Sequence, residues 1–254
     1  MQILTGKAAC PTAVGLYSLF KIHLTTLTLF GYSGAEQIWA FTQMAFARPQ
    51  LARMAGLRFW KLLGSGHGSG FSLRPNWARY GLLAVWEHVD ALESFFAHSA
   101  LMRIYRRHAE EIWTVHLQPV EVRGQWLGVN PFFPLAPHKI DGPIAILTRA
   151  TIRLSRLRAF WSAVPATSQA LDNAAGLLAS IGLGEAPFFR QATFSLWRSV
   201  GDMEAFAFRA PAHREAMRRT RAENWYREEL FARFAPVASE GMWNGKDPLK
   251  GILL

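Results

Sequence analysis

WEHVDALESF at residues 86–95 returns as WRSVGDMEAF at residues 197–206, 111 residues further along the chain. The stretch GQWLG at residues 124–128 also has a counterpart, GMWNG at residues 241–245. Spaced self-similarity of this kind predicts one structural unit that is folded twice, with the two copies packed on each other. A functional site is then expected where the two copies differ.

The first unit is predicted to span residues 25–126 with the element order β-α-β-β-α-β, the ferredoxin-like unit. Alternating or short apolar runs between turn residues predict its strands, and apolar residues at helical spacing predict its helices. The predicted strands are 26–32, 57–63, 80–86 and 113–122, and the predicted helices are 36–54 and 90–111.

The second unit is predicted to span residues 144–254 and to repeat this order after a proline-rich linker at residues 127–143. Its predicted strands are 144–153, 177–183, 191–197 and 230–237, and its predicted helices are 155–172 and 211–229. Residues 1–24 lack the pattern of a signal peptide and are predicted to form an N-terminal extension. The predicted fold class is α+β, with two fused ferredoxin-like units packed as a sandwich.

The chain has 254 residues, half of them apolar, and a formal net charge of +10. This charge suits an acidic partner: a nucleic acid, an anionic membrane surface or an acidic redox protein. Because we find no helix-turn-helix, zinc-finger or RNP pattern, we expect no nucleic-acid partner. Cys10 is the single cysteine, which excludes an internal disulfide and favours the cytoplasm. No apolar run reaches ~18 residues, so no spanning helix is expected.

His213 is the candidate metal ligand. Pro211 suits the first position of the predicted helix, so His213 falls in the first turn, near the positive end of the helix dipole. That field favours the neutral imidazole, which is the form that binds metals. The counterpart of His213 in the first unit is Met102, so the histidine marks a difference between the copies. The alternative is a histidine at a helix start that simply faces water.

Two arginines are the other candidates. Alternation along the strand at residues 144–153 places Arg149, Thr151 and Arg153 on one face, where Arg149 either meets a ligand or faces water at an edge. Arg214 belongs to an arginine-rich helical stretch at residues 209–227. These arginines either pair with glutamates on a solvated helix face or hold the acidic groups of a cofactor or an electron donor.

Several long strings resemble the spheroidene monooxygenase family, the carotenoid 2-ketolases of purple bacteria. The resemblance covers roughly residues 26 to 249, and the strings that carry it are WAFTQMAFAR at 39–48, FWKLLGSG at 59–66, VRGQW at 122–126, LTRATIR at 147–153 and RAENWYREELFARF at 221–234. It implies a fold of the dimeric α/β-barrel type, formed here within one chain. That fold group includes haem proteins that use a histidine on a helix of the C-terminal unit.

The resemblance further implies a haem-dependent monooxygenase that uses dioxygen and electrons from reduced ferredoxin to oxidise C2 of acyclic carotenoids. His213 would bind the haem iron, Arg214 would contact the haem, and Arg149 would be catalytic. A lipophilic substrate also implies contact with a membrane as a peripheral protein. Two alternatives stay open: a haem enzyme of another class, such as an aldoxime dehydratase-like lyase, and a non-catalytic carrier of haem or pigment.

Overall fold

The computed structural model describes residues 24–134, 141–186 and 188–253. Cys10, His138, most of the predicted extension and residues 135–140 of the predicted linker lie outside the described residues. The strands are β1 (Leu24–Gly31), β2 (Leu57–Gly66), β3 (Pro75–Trp86), β4 (Glu111–Gly124), β5 (Ile144–Ile152), β6 (Leu177–Ala186), β7 (Arg190–Trp197) and β8 (Tyr226–Gly241). The α-helices are α1 (Glu36–Phe46), α2 (Arg48–Ala52), α3 (Val89–His98), α4 (Ala100–His108), α5 (Leu157–Asp172), α6 (Val200–Arg209) and α7 (Pro211–Ala222).

The eight strands close into one antiparallel barrel in the order β1-β3-β2-β6-β7-β5-β8-β4. Each half supplies a four-stranded ferredoxin-like sheet, and the two sheets join at both edges. One seam is the long β4–β8 ladder, which runs from Trp113 opposite Gly241 to Gly124 opposite Leu230. The other seam is short, with Gly64 opposite Gly184 and Ser65 opposite Leu183. The predicted fold class is confirmed, with the two inner faces meeting across the barrel.

Residues of each strand alternate between the barrel interior and the helix layer. Both faces of the barrel wall are covered in this way, and both are largely apolar. The interior is one continuous core with members from both halves, among them Leu27, Val115, Leu147 and Phe194. The outer face of the first half packs under α1–α4 as a second large core. The outer face of the second half has two smaller and separate clusters. None of the helices in the described ranges is long and apolar enough to span a bilayer.

Two of the predicted helices are each divided in two. The predicted helix 36–54 breaks at Ala47, just before Pro49, whose missing N–H and ring favour the first turn of a new helix. The predicted helix 90–111 breaks at Ser99, which is extended and whose hydroxyl accepts a hydrogen bond from the Met102 N–H. Ser99 is thus an N-cap that starts α4.

The predicted helix 211–229 is wrong beyond residue 222. Asn224 adopts a left-handed conformation with φ of 53°, which ends α7 and directs the chain into β8 at Tyr226. Residues 226–229 are therefore strand, and β8 extends to Gly241. Helix α6 was not predicted; Ser199 caps it by accepting a hydrogen bond from the Asp202 N–H.

Two glutamates clamp the halves together in a pseudo-symmetric pair of contacts. Glu228 accepts hydrogen bonds from the N–H groups of Leu127 and Gly128 and from the Arg149 guanidinium. Burial raises the pKa of the Glu228 carboxyl, but these donors outweigh it and hold the pKa below its usual range. The turn at Leu127 and Gly128 follows the first half of the chain, whereas Glu228 belongs to the second half. The contact therefore fixes how the two halves meet.

The matching clamp in the other direction is formed by Glu111. Its carboxylate accepts from the N–H groups of Asn244 and Gly245 and from Arg79. The side chain of Arg79 is 14% exposed, whereas that of Arg149 is 1% exposed. The two clamps therefore differ chiefly in how deeply the arginine is buried.

We expect Glu228→Ala to lower the free energy of unfolding by about 3 kcal/mol or more, because it leaves a deeply buried guanidinium short of one partner and two turn N–H groups unpaired. Glu111→Ala is the matched control and is expected to cost less, since Arg79 can reach water. Urea unfolding followed by circular dichroism measures both. A Glu228→Ala protein at least as stable as Glu111→Ala would contradict this account.

Candidate functional site

A large cavity lies between the outer face of the second-half sheet and helices α5, α6 and α7. Its volume is about 1030 Å³ when the open solvent at its mouth is included, so this figure is an upper bound on the room for a ligand. The segment between β2 and β3, from the first half, closes one side with Gly70 and Phe71. The remaining wall is mostly apolar, and it includes Ile146, Phe160, Val164, Leu171, Trp197, Met203, Phe206, Ala216, Trp225 and Phe231.

At several positions of the repeat, the second half has small residues where the first half has aromatic ones, and this contributes to the cavity. The strand registers set Leu24 opposite Trp86 and Ile144 opposite Trp197, so that Phe30 corresponds to Ala150. The repeated helices make Tyr105 correspond to Ala216 in the same way. In the first half Phe30 and Tyr105 stack with ring centroids 4.6 Å apart and fill the space under the helices.

Two further pairs show the same trend. Leu82 of β3 corresponds to Thr193 of β7, and Trp60 of β2 corresponds to Ser180 of β6. Leu82 is buried and Trp60 packs against the first-half core, whereas Thr193 and Ser180 line the cavity. The loss of side-chain volume at these positions leaves the second half with room for a ligand.

His213 lies in the wall of this cavity, on the first turn of α7. Its Nδ1 is 3.1 Å from the Ala207 carbonyl oxygen. Because a carbonyl can only accept, Nδ1 carries the hydrogen and Nε2 keeps its lone pair. The Phe206 ring packs against the imidazole with centroids 4.8 Å apart. Burial lowers the pKa of His213, although the bond to Ala207 opposes the shift, so the imidazole is held neutral.

Thr148 and Thr193 face the cavity from neighbouring positions on β5 and β7. Neither hydroxyl has a hydrogen-bond partner within the described residues, whereas the cavity hydroxyls of Ser180 and Thr220 bond to backbone carbonyls. Tyr226 also lines the cavity, and burial raises its pKa to about 12, so it stays neutral. The lining residues include no lysine, arginine, aspartate or glutamate. The site can therefore hold an apolar molecule against one imidazole and the hydroxyls of Thr148 and Thr193.

The structure does not bring Arg149 to this cavity. The alternation of β5 directs Thr148 to the cavity and Arg149 to the barrel interior, on the opposite face of the sheet. There the guanidinium pairs with Glu228 and Glu185 and lies 5.6 Å from the Trp126 ring centroid. Its surroundings are those of a buried ionic contact, and no contact of Arg149 supports the catalytic role predicted for it.

Arg214 is exposed on α7 and is not among the residues that line the cavity. Its predicted contact with a cofactor therefore remains a prediction. The neighbouring arginines form helix pairs, with Arg218 bonded to Glu215 and Arg219 bonded to Glu223. Arg218 and Arg219 therefore pair with glutamates on their own helix, as in the alternative given above.

Sequence reasoning missed three contributions to the site. The first is α6, which supplies Phe206 and the Ala207 carbonyl. The second is the first-half segment with Gly70 and Phe71, and the third is the pair Thr148 and Thr193. Aligning the two copies position by position would have revealed the small residues at 150, 193 and 216. In the described ranges no group of three or more His, Cys, Asp or Glu side chains is arranged to hold a metal ion.

The fold and the cavity define a class first: a fused α/β barrel with a ligand cavity under the helices of its second half. Among solved structures, an aldoxime dehydratase in complex with butyraldoxime has this fold, with a TM-score of 0.59 at 10% identity over 91% of this chain and 86% of that chain. A second aldoxime dehydratase gives a TM-score of 0.54 at 11% identity over 85% of this chain and 82% of that one. At these identities the likeness shows the fold alone.

The particular family follows from sequence. The chain is 40% identical to the spheroidene monooxygenase of Rhodobacter capsulatus, over 91% of this chain and 97% of that protein. It is 39% identical to the Rubrivivax gelatinosus spheroidene monooxygenase, over 87% of this chain and 84% of that protein. No protein-family model matches the chain. The chain belongs to the spheroidene monooxygenase family and is an oxidoreductase of the monooxygenase type.

We expect His213 to titrate below the usual histidine range of about 6.5, because burial disfavours the imidazolium. The unfolded chain then binds a proton that the folded chain does not, so stability falls as the pH drops below about 6.5. Histidine NMR titration measures the pKa, with His213→Gln assigning the signal and removing its share of the slope. A normal or raised pKa would show that the imidazole is exposed to water.

Proposed function

We propose that the cavity of the second half binds haem through His213, and that the protein uses dioxygen and electrons from reduced ferredoxin to oxidise a carotenoid. The observation that carries this proposal is the neutral imidazole of His213, fixed by the Ala207 carbonyl at the wall of a large apolar cavity. The family supplies the substrate class, because the curated relatives are named for spheroidene.

The residues present fit a haem group. A metal-binding histidine usually donates its other ring N–H to a carbonyl or a carboxylate, which fixes the tautomer and orients the ring. The bond from Nδ1 to Ala207 meets this requirement and leaves Nε2 available. A single imidazole suits an iron that already has the four nitrogens of a porphyrin. The aromatic and aliphatic walls suit the apolar faces of such a ring.

When bound, haem supplies the activation of dioxygen by its iron. The chain contributes binding, orientation and exclusion of water. His213 holds the group in place, and Phe206 keeps the imidazole from rotating. The apolar lining keeps bulk water from the reacting carbon. The hydroxyls of Thr148 and Thr193 are the donors we assign to an oxygen-bearing end of the substrate.

The substrate class that we propose is an acyclic, methoxylated carotenoid, oxidised at C2 beside the methoxy-bearing end, first to an alcohol and then to a ketone. We propose a cytoplasmic location for the protein. Arg149 and Arg214 have no part in this proposal, because one lies inside the barrel and the other is exposed on α7 and does not line the cavity.

We expect His213→Ala to lose haem, with an affinity at least about tenfold lower, because no other lining residue offers a nitrogen ligand. The absorption spectrum of purified protein titrated with haemin measures this, and added imidazole is expected to restore part of the Soret band. His98→Ala, on the last turn of α3, is the matched control. Full haem retention in His213→Ala would reject His213 as the ligand.

Ala216→Tyr copies the first-half residue Tyr105 into the cavity. We expect this variant to fold with a thermal midpoint no lower than that of the unchanged protein, because it fills empty space. We also expect it to take up neither haem nor carotenoid. Ala222→Tyr, at the exposed end of the same helix, is the control. Normal haem uptake by Ala216→Tyr would place the haem elsewhere.

Turnover separates the proposed reaction from its alternatives. The haem-loaded protein, supplied with dioxygen, ferredoxin and a reductant, is expected to convert spheroidene to a product carrying a C2 alcohol or ketone, as measured by chromatography and mass spectrometry. Turnover of an aldoxime without any reductant would favour a lyase. Stoichiometric pigment binding without product would favour a carrier.

A further inference from the structure

Helix α1 is apolar on both of its sides although it lies at the protein surface. Its only charged residue is Glu36, at the first position. Its inner side packs Trp39, Ala40 and Met44 on the first-half core. Its outer side leaves Ile38 and Phe41 exposed to 72% and 54%, and Phe46 at its end is 69% exposed. A soluble helix normally presents polar residues to water, so this outer side indicates a surface with an apolar partner.

Trp77, at the start of β3, extends the same surface. It is 51% exposed, and its ring meets that of Phe41 edge-on with centroids 5.3 Å apart. Leu73, on the segment that leads into β3, is 52% exposed. We call Ile38, Phe41, Phe46, Leu73 and Trp77 the α1 patch. It combines a tryptophan with branched and aromatic side chains, which is the composition of helices that lie in a membrane interface.

The fold itself does not require this exposure. The alignment of the two halves that makes Phe30 equivalent to Ala150 also makes Ile38 equivalent to Arg158 and Phe46 equivalent to Ala166 on α5. Phe41 corresponds to Trp161, which is only partly exposed and donates its indole N–H to the Phe188 carbonyl. On the outer side of α5, two of these three positions are thus polar or small, and the third is partly covered.

The charges around the α1 patch point to an anionic surface. Arg48 at the start of α2 and Arg53 just after its end are exposed, and Arg74 is exposed beside Leu73. The one carboxylate of α1, Glu36, is paired with His108 at 2.7 Å. The whole chain carries a net charge of +10. Apolar side chains flanked by arginines match a bilayer that contains anionic lipids.

The α1 patch and the cavity share one segment of chain. Residues 67–74, between β2 and β3, carry Leu73 on the outside, while Gly70 and Phe71 form part of the cavity wall. Phe71 packs on Phe160 of α5 with ring centroids 5.3 Å apart. A surface that engaged lipid through the α1 patch would therefore hold the cavity wall close to the bilayer.

We propose that the α1 patch docks the protein on anionic lipid membranes, next to the cavity that receives a substrate dissolved in the bilayer. The delivery of substrate rests on the proposed function, whereas the docking does not. A lipophilic carotenoid is then transferred to the cavity across the segment of residues 67–74 without crossing water.

The test compares the unchanged full chain with the double variant Phe41→Ser/Trp77→Ser in sedimentation with vesicles of phosphatidylcholine and phosphatidylglycerol. We expect binding to weaken by at least about tenfold in the variant, since two large apolar side chains no longer enter the lipid. Both residues are half exposed, so the fold and haem content are expected to be unchanged in circular dichroism and absorption spectra. The matched control is Leu154→Ser/Val129→Ser, which changes two apolar residues outside the α1 patch that are at least half exposed.

Unchanged vesicle binding by Phe41→Ser/Trp77→Ser would overturn the proposal. If the unchanged protein bound vesicles of phosphatidylcholine alone as tightly as vesicles that contain phosphatidylglycerol, the preference for anionic lipid would be wrong. A chain that binds no vesicles but changes from dimer to monomer in the variant would identify a second copy as the partner and would also overturn it. His213→Ala, assayed with the same vesicles, keeps the two proposals separable. Haem loss with normal vesicle binding agrees with both proposals, whereas retained haem with normal vesicle binding rejects the haem site and leaves the docking surface standing.

Discussion

The site depends on a deficit of side-chain volume on one face of one sheet. Both halves of the chain build the same sheet and cover it with corresponding helices. The first half fills the gap between them with the stacked rings of Phe30 and Tyr105, and the second half has Ala150 and Ala216 there. Because protein interiors are packed at nearly constant density, such a deficit leaves a cavity unless the helices collapse onto the sheet. The barrel beneath is held rigid by a continuous core and by the clamps of Glu111 and Glu228.

Duplication explains how the chain can have such a cavity without losing its fold. The barrel interior is shared, and its core residues come from all eight strands. The outer face of the first half keeps a large core of its own. The second half can then give up packing on its outer face, and it does so at the place where His213 replaces the buried Met102. The difference between the halves is both the origin of the cavity and the source of the histidine in its wall.

Much of this could be predicted from the sequence, and the failures have physical causes. The repeat predicted the barrel's two sheets, and the first-turn position of His213 predicted a neutral imidazole. Alternation placed Arg149, Thr151 and Arg153 on one face of β5, but both faces are apolar in a closed barrel. Alternation therefore could not say that Arg149 points inward. The stretch at residues 223–229 has helical composition, yet the left-handed Asn224 turns it into a strand.

The most direct test of the central claim is a crystal structure of the protein grown with haemin. The account predicts an iron porphyrin between the second-half sheet and helices α5 to α7, with Nε2 of His213 bound to the iron and Nδ1 still donating to Ala207. A porphyrin held by a different histidine, or a cavity that stays closed to it while His213 faces water, would contradict the account.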